Sequence, residues 1–376
     1  MSGTAQTPEP PPAPARDLLE RLLQTIDAEG PISVARYMSE ALLDPRAGFY
    51  ATKDPIGAGS DFITAPEVSQ MFGELIGLWC VQSWIEMGAP ERVDLVELGP
   101  GRGTMIADAL RAAQLRPDFI AAARITLVEA SPALKAVQAE TLANAPCPVM
   151  WMNQLPAGDA PCIVLGNEFL DCLPIRQFVR HESAWRERLV GRDPTAPAQL
   201  AFLLAPSTLS ERDCDLIPAA LRDAPEGALV EASPGAAPLL ESLAARFASA
   251  PGRALFIDYG PAASETGDTL QAIKAHEKVD PLAEPGQADL TARVDFAALS
   301  EAAHALDLSA DGSAPQGDWL KALGLEHRAA ALIGARPDQK GVIARQVHRL
   351  TDEAEMGALF KAICVSSSGL PPAAGF

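Results

Sequence analysis

What this 376-residue sequence lacks narrows its possible functions before any motif is considered. Cationic residues are scarce: 30 Lys and Arg face 49 Asp and Glu, a formal net charge of −19. Such a surface repels phosphate backbones, and no basic run offsets it, so nucleic acid is not expected as a partner. A cationic protein segment remains electrostatically compatible. Aromatic residues make up only 5%, which argues against a small β-rich binding module and favours helices packed on a buried sheet. No apolar run is long enough to span a bilayer, so no membrane insertion is expected. The six cysteines form no C-x-x-C pair and the five histidines lie far apart. We therefore expect neither a disulfide framework nor a catalytic metal. Nucleophile-elbow, zinc-protease and P-loop signatures are also missing.

The chain divides by pattern. Residues 1–16 are Pro-rich, without the basic region of a secretory signal or the Arg-rich pattern of a presequence, and read as a disordered leader. Together with scattered thiols in apolar stretches, this leader points to a cytoplasmic, bacterial protein. Residues 17–90 carry helical spacing, seen at Leu18, Leu22, Val68, Phe72 and Leu75, and read as an N-terminal helical cap or lid. From Val93 the period changes: short apolar strands alternate with helices, which implies a mostly parallel α/β sheet. That core is expected at 91–173 and 228–376. An inserted antiparallel β subdomain is expected at 174–227, and a long loop insertion at 264–295.

The most informative turn follows the first core strand, Glu97-Leu98-Gly99-Pro100-Gly101-Arg102-Gly103-Thr104. Glycines between strand and helix let backbone N–H groups approach a ligand. Dinucleotide enzymes need G-x-G-x-x-G, whereas here the glycines fall at 99, 101 and 103. Glu97 would repel a pyrophosphate, yet it suits a ligand with a cationic amino-acid end. S-adenosylmethionine is such a ligand, and Glu129, ending the second strand, is placed to accept both ribose hydroxyls. The bland alternative is a tight turn beside a solvated Glu129.

A second loop, Asn167-Glu168-Phe169-Leu170-Asp171-Cys172-Leu173-Pro174, lies at the carboxyl edge of the sheet, where open α/β folds bind ligands. A guanidinium methyl acceptor needs carboxylates to orient it and draw off charge. Glu168 and Asp171 could supply that pair, with Asn167 on the cofactor or backbone; they could equally be ordinary acidic residues of a helix start. Segment 61–66 could cap the next helix or fold over the cofactor through Thr64.

The sequence resembles the MidA-like group of class I methyltransferases. The resemblance rests on residues 59–74, 97–104, 167–174 and 257–260, then Asp268-Thr269-Leu270-Gln271-Ala272 and Pro285-Gly286-Gln287-Ala288-Asp289-Leu290-Thr291. That group includes the mitochondrial arginine methyltransferase that assists assembly of respiratory complex I. The resemblance spans nearly the whole chain. It implies a Rossmann-like class I methyltransferase sheet with helices on both faces, S-adenosyl-L-methionine as cofactor, and a protein arginine acceptor, plausibly on a complex I-type dehydrogenase subunit. Expected cofactor contacts are Thr64, Glu97, Gly99, Gly101, Gly103, Thr104, Glu129 and Asn167; expected catalytic residues are Glu168 and Asp171. A non-catalytic assembly chaperone and an NAD(P)-dependent oxidoreductase stay open as alternatives.

Overall fold

The computed structural model describes residues 13–52 and 64–376. Its central sheet has seven strands in the spatial order Leu308–Pro315, Phe360–Ser367, Gly252–Tyr259, Cys162–Asn167, Val93–Leu98, Ala123–Val128 and Val149–Met152. The last five are mutually parallel, while Phe360–Ser367 runs antiparallel to both its neighbours. Interior strands covered on both faces need continuous apolar sequence, and Cys162, Ile163, Val164 and Leu165 are all buried. The edge strand Leu308–Pro315 is polar and carries an irregularity between Gly312 and Ala314. Its residues escape a hydrophobicity reading because an edge strand has one paired side and is commonly blunted by polar residues and bulges.

Helices Gln70–Glu86, Thr104–Ala113, Leu325–Ala335 and Lys340–Thr351 contribute to the core on one face of the sheet. Ala236–Ser249 and Phe296–His304 cover the other. The closest helix contact joins Gln70–Glu86 to Thr104–Ala113 through glycine. A Cβ on Gly77 would stand 2.2 Å from the Ala109 carbonyl oxygen, and one on Gly73 would stand 2.7 Å from Asp108 Cβ. The helix expected to start at Pro66 is broken. Ala65–Val68 makes one short turn, Ser69 leaves helical geometry, and its hydroxyl accepts the Met71 N–H to begin Gln70–Glu86.

Three segments that look separate in sequence share one satellite core. Leu18, Leu22 and Met38 of the first two helices pack with Ile175 and Val190 from the β insertion and with Ala272 and Leu290 from the 264–295 segment. Ile32–Ser33 adds antiparallel to Ala184–Arg192, so the helical cap contributes a strand to the inserted sheet. Leu229–Ala232 pairs with Arg176–His181, which carries that sheet past residue 227. The 264–295 segment holds its own three-stranded sheet, Glu277–Val279, Gln271–Lys274 and Asp289–Thr291. The first helix begins at Ala13, inside the leader expected to reach residue 16, and residues 1–12 lie outside the described ones. Among the described residues, no helix is long and apolar enough to cross a membrane.

The glycine contact yields a paired prediction. Gly77→Ala should destabilise the protein by roughly 1–3 kcal/mol, because overpacking outweighs the better helix propensity of Ala. Gly334, within Leu325–Ala335, has open space at its Cβ position, so Gly334→Ala should stabilise by up to about 1 kcal/mol. Thermal melts of both variants would test the contact, and equal shifts would refute it.

Candidate active site

The strands Val93–Leu98 and Cys162–Asn167 lie side by side where the sheet reverses its winding, and both carboxyl ends open into one cleft. After the first of them the chain turns through Gly99, Gly101 and Gly103 at φ 58°, 54° and 79°. Side-chain-bearing residues rarely hold this left-handed region, which explains three alternating glycines in five residues. Thr64, Glu97, Gly99, Gly101, Thr104, Asn167 and Glu168 all line the cleft, joined by Glu67 and Arg102. Residues 61–63 of the expected lid lie outside the described residues.

Glu97 is only 2% exposed, and its Oε2 has no hydrogen-bond partner among the described residues. Burial pushes its carboxyl up to about 8. The Asn167 Oδ1 also lacks a partner among the described residues, while its Nδ2 donates to Glu168 Oε1 at 2.9 Å. Two buried acceptors without donors, beside a turn of bare backbone, fit a ligand that brings an ammonium group and no phosphate. S-adenosylmethionine meets that description: Glu97 and Asn167 would hold its amino-acid end.

The second loop owes its shape to Asp258, which is fully buried at the end of Gly252–Tyr259. Its Oδ2 accepts the backbone N–H groups of Phe169, Leu170 and Asp171 at 3.1, 2.8 and 3.2 Å, and Oδ1 accepts that of Tyr259 at 2.9 Å. Glu168 takes a φ of 50° at the start of this loop, and its Oε1 accepts the Ala65 N–H at 3.2 Å. Burial, then the nearby Asp258 charge, pushes its carboxyl up to about 7.

The expected residues do not all share one wall. Asp171 is buried and absent from the cleft lining; it sits in a cluster with Asp258, Asp289 and Glu168, where burial and then the Asp258 charge raise its carboxyl well above the usual range. Among the described residues, no group of three or more such side chains could hold a metal ion. Thr104 lines the cleft, but its hydroxyl donates to Glu67 Oε1 at 2.6 Å, which ties the short helix Ala65–Val68 to the glycine turn. Glu129 is buried behind that turn, with Oε1 accepting the Ser131 N–H at 2.7 Å.

Sequence reading missed Glu67, Asp258 and Gln138 as parts of the site. Asp258 had a signal: an acid ending an apolar strand, as Glu97 and Glu129 do. Gln138 had another, since it lies four residues after Leu134 on the buried stripe of Pro132–Thr141. For Glu67 we find no local signal.

The buried Glu97 carboxyl links stability to pH. Unfolded, it titrates near the ordinary 4.5, and folded near 8. Between those values the folded chain holds a proton that the unfolded chain releases, so stability falls as pH rises through that window and levels off above it. Glu97→Gln should therefore stabilise the ligand-free protein at about pH 8, by roughly 1–3 kcal/mol, and hardly at all near pH 4.5. The same substitution should weaken S-adenosylhomocysteine binding. Melts across pH, paired with calorimetry, check both halves, and a pH-independent gain would refute the burial argument.

Known proteins share both sequence and fold with this chain. A family model described as S-adenosyl-L-methionine-dependent methyltransferase matches residues 75–314. The chain is 37% identical to the protein arginine methyltransferase NDUFAF7, mitochondrial, of Danio rerio, over 92% of this chain and 86% of that one. It is 34% identical to the Homo sapiens protein of the same name, over 94% and 84%. The crystal structure of a superfamily member from Burkholderia thailandensis bound to S-adenosyl-homocysteine superposes with a TM-score of 0.85 at 29% identity, covering 98% of this chain and 97% of that chain. The cytoplasmic placement expected from the sequence is corrected by these comparisons, because the curated relatives are mitochondrial by name. Reduced thiols and a leader without a cationic pattern do not distinguish one reducing compartment from another. The chain belongs to the S-adenosyl-L-methionine-dependent methyltransferase family and is an enzyme that uses S-adenosyl-L-methionine as its cofactor.

Proposed function

We propose that this methyltransferase acts on an arginine side chain of a protein, and that the protein is a complex I-type dehydrogenase subunit. The observation that carries the acceptor class is the paired carboxyl groups at the second loop. Glu168 lines the cleft, and Asp171 and Asp258 lie behind it. A guanidinium is permanently cationic, and a cleft backed by several carboxyls is complementary to it. The names of the relatives agree with an arginine acceptor, and the complex I-type partner rests on the sequence resemblance. The net charge of −19 suits a cationic segment entering the cleft.

S-adenosylmethionine, when bound, supplies a methyl group activated by its sulfonium. Glu97 and Asn167 hold the amino-acid end, Glu129 the ribose hydroxyls, and the glycine turn gives close backbone approach. Thr64 lines the cleft from the short-helix side and Thr104 from the glycine turn. Glu168 orients the guanidinium through its carboxylate and takes the proton that the attacking nitrogen loses. A base held near pH 7 is ionised often enough to accept a proton and basic enough to draw it. Asp171, behind the loop, makes no direct contact, and burial disfavours its ionised form.

This assignment sets the pH dependence. Glu168 must be ionised, so kcat/KM should rise with pH through about 7, the value to which burial lifts it. Glu168→Gln should remove that limb and lower kcat on the order of 10²-fold while leaving S-adenosylhomocysteine affinity nearly intact. Transfer of labelled methyl from S-adenosylmethionine to a complex I-type subunit, with the site located by mass spectrometry, reads all of this. Label on lysine, or on no residue of that subunit, would refute the acceptor.

A further inference from the structure

We propose that Gln138 is a positioning residue for the cofactor: its side-chain amide sets Glu129 at a fixed distance from the glycine turn. The proposal rests on the reading that Glu129 binds the ribose.

Gln138 is fully buried on the inward stripe of Pro132–Thr141. A buried amide is costly unless its donors and acceptor are met, and here they are met by three different elements. Its Nε2 donates to the Gly101 carbonyl oxygen at 2.7 Å and to Glu129 Oε2 at 3.1 Å. Its Oε1 accepts from Trp151 Nε1 at 2.9 Å. The amide cannot be reversed, because the indole N–H only donates while the Gly101 carbonyl and an ionised Glu129 only accept. The Trp151 bond thus orients the amide, and the two divergent hydrogens of one planar NH₂ group hold the turn and the carboxylate apart at a set spacing.

The consequence for the ligand follows from the accepting capacity of Glu129. Oε1 takes the Ser131 N–H, Oε2 takes Gln138, and the Ala130 N–H also bonds the carboxylate, so three of its roughly four accepting sites are met and capacity remains for a hydroxyl donor. Burial works against the ionised form of Glu129, and the Gln138 hydrogen bond works for it. A Cβ added at Gly103 would stand 3.6 Å from Gln138 Cγ, so a larger residue there would pack on the same side chain. One side chain therefore bonds both the glycine turn and the ribose acid.

Calorimetric titration of the full chain with S-adenosylhomocysteine tests this in the wild type, Glu129→Ala, Gln138→Met, Gln138→Glu and the Glu129→Ala, Gln138→Met double variant. Gln138→Met should weaken binding roughly tenfold, the loss expected for a hydrogen bond to a charged group. In the double variant the two losses should overlap rather than multiply. Gln138→Glu puts a second carboxyl against Glu129, so the pair shares a proton at low pH and repels at high pH. Its dissociation constant, divided by the wild-type value, should climb at least roughly tenfold from about pH 6 to about pH 9, whereas that ratio for Gln138→Met should stay flat. That climb reads out direct reach from position 138 to Glu129, and the overlap of losses in the double variant separates positioning from space filling. Unchanged affinity in Glu129→Ala would overturn the ribose reading and the proposal with it. Weakened binding in Glu129→Ala with wild-type binding in Gln138→Met, or a Gln138→Glu ratio independent of pH, would overturn the role of Gln138 alone. Should Gln138→Met fail to fold, the Gln138→Glu pH series decides by itself.

Discussion

The carboxylate of Asp258 does for the second loop what a helix cap does for a helix. One buried oxygen accepts three successive amides, Phe169, Leu170 and Asp171, and the other accepts Tyr259. These bonds join the ends of two neighbouring parallel strands, Cys162–Asn167 and Gly252–Tyr259. Without them the loop would have three unsatisfied N–H groups in an apolar setting, a cost of about 1–3 kcal/mol for each. With the loop held, Glu168 is left in a left-handed conformation facing the cleft, and Asn167 beside it. The side of the cleft that would meet the acceptor is therefore set by a residue on another strand, 87 to 89 positions away in sequence.

That arrangement concentrates acid where water is scarce. Glu97, Glu168, Asp171 and Asp258 are all raised in pKa, each chiefly by burial. Asp258 offsets that cost through the amides it accepts, whereas Glu97, with an oxygen left without a partner among the described residues, makes the ligand-free chain less stable near neutral pH than a neutral group would. In the proposed reading, a cationic ligand would supply the missing donors and recover that energy.

The satellite lobe shows how little the linear order of segments says about structure. The first helices, the β insertion and the 264–295 segment pack around one core, and each contributes a strand or an apolar face that none could bury alone. Tyr50, from the N-terminal part, donates to Asp289 Oδ1 at 2.8 Å, so this lobe reaches the acidic cluster behind the second loop. The lobe is consequently part of how the acceptor side is built.

The sequence alone determined the α/β core, the glycine turn and the chemistry of its ligand. These depend on local patterns: apolar runs for doubly covered strands, glycine where φ is positive, an acid at a strand end. It did not reveal the polar edge strand Leu308–Pro315, the shared core of the satellite lobe, or the turning of Asp171 away from the cleft. Each of those depends on a partner distant in the chain. Gln138 and Asp258 belong to the same class, since a polar side chain becomes part of a site only when folding brings it donors and acceptors from other strands. Tertiary structure decided these because hydrogen-bond satisfaction of buried groups is a property of the assembled interior, whereas periodicity and backbone freedom are properties of the local chain.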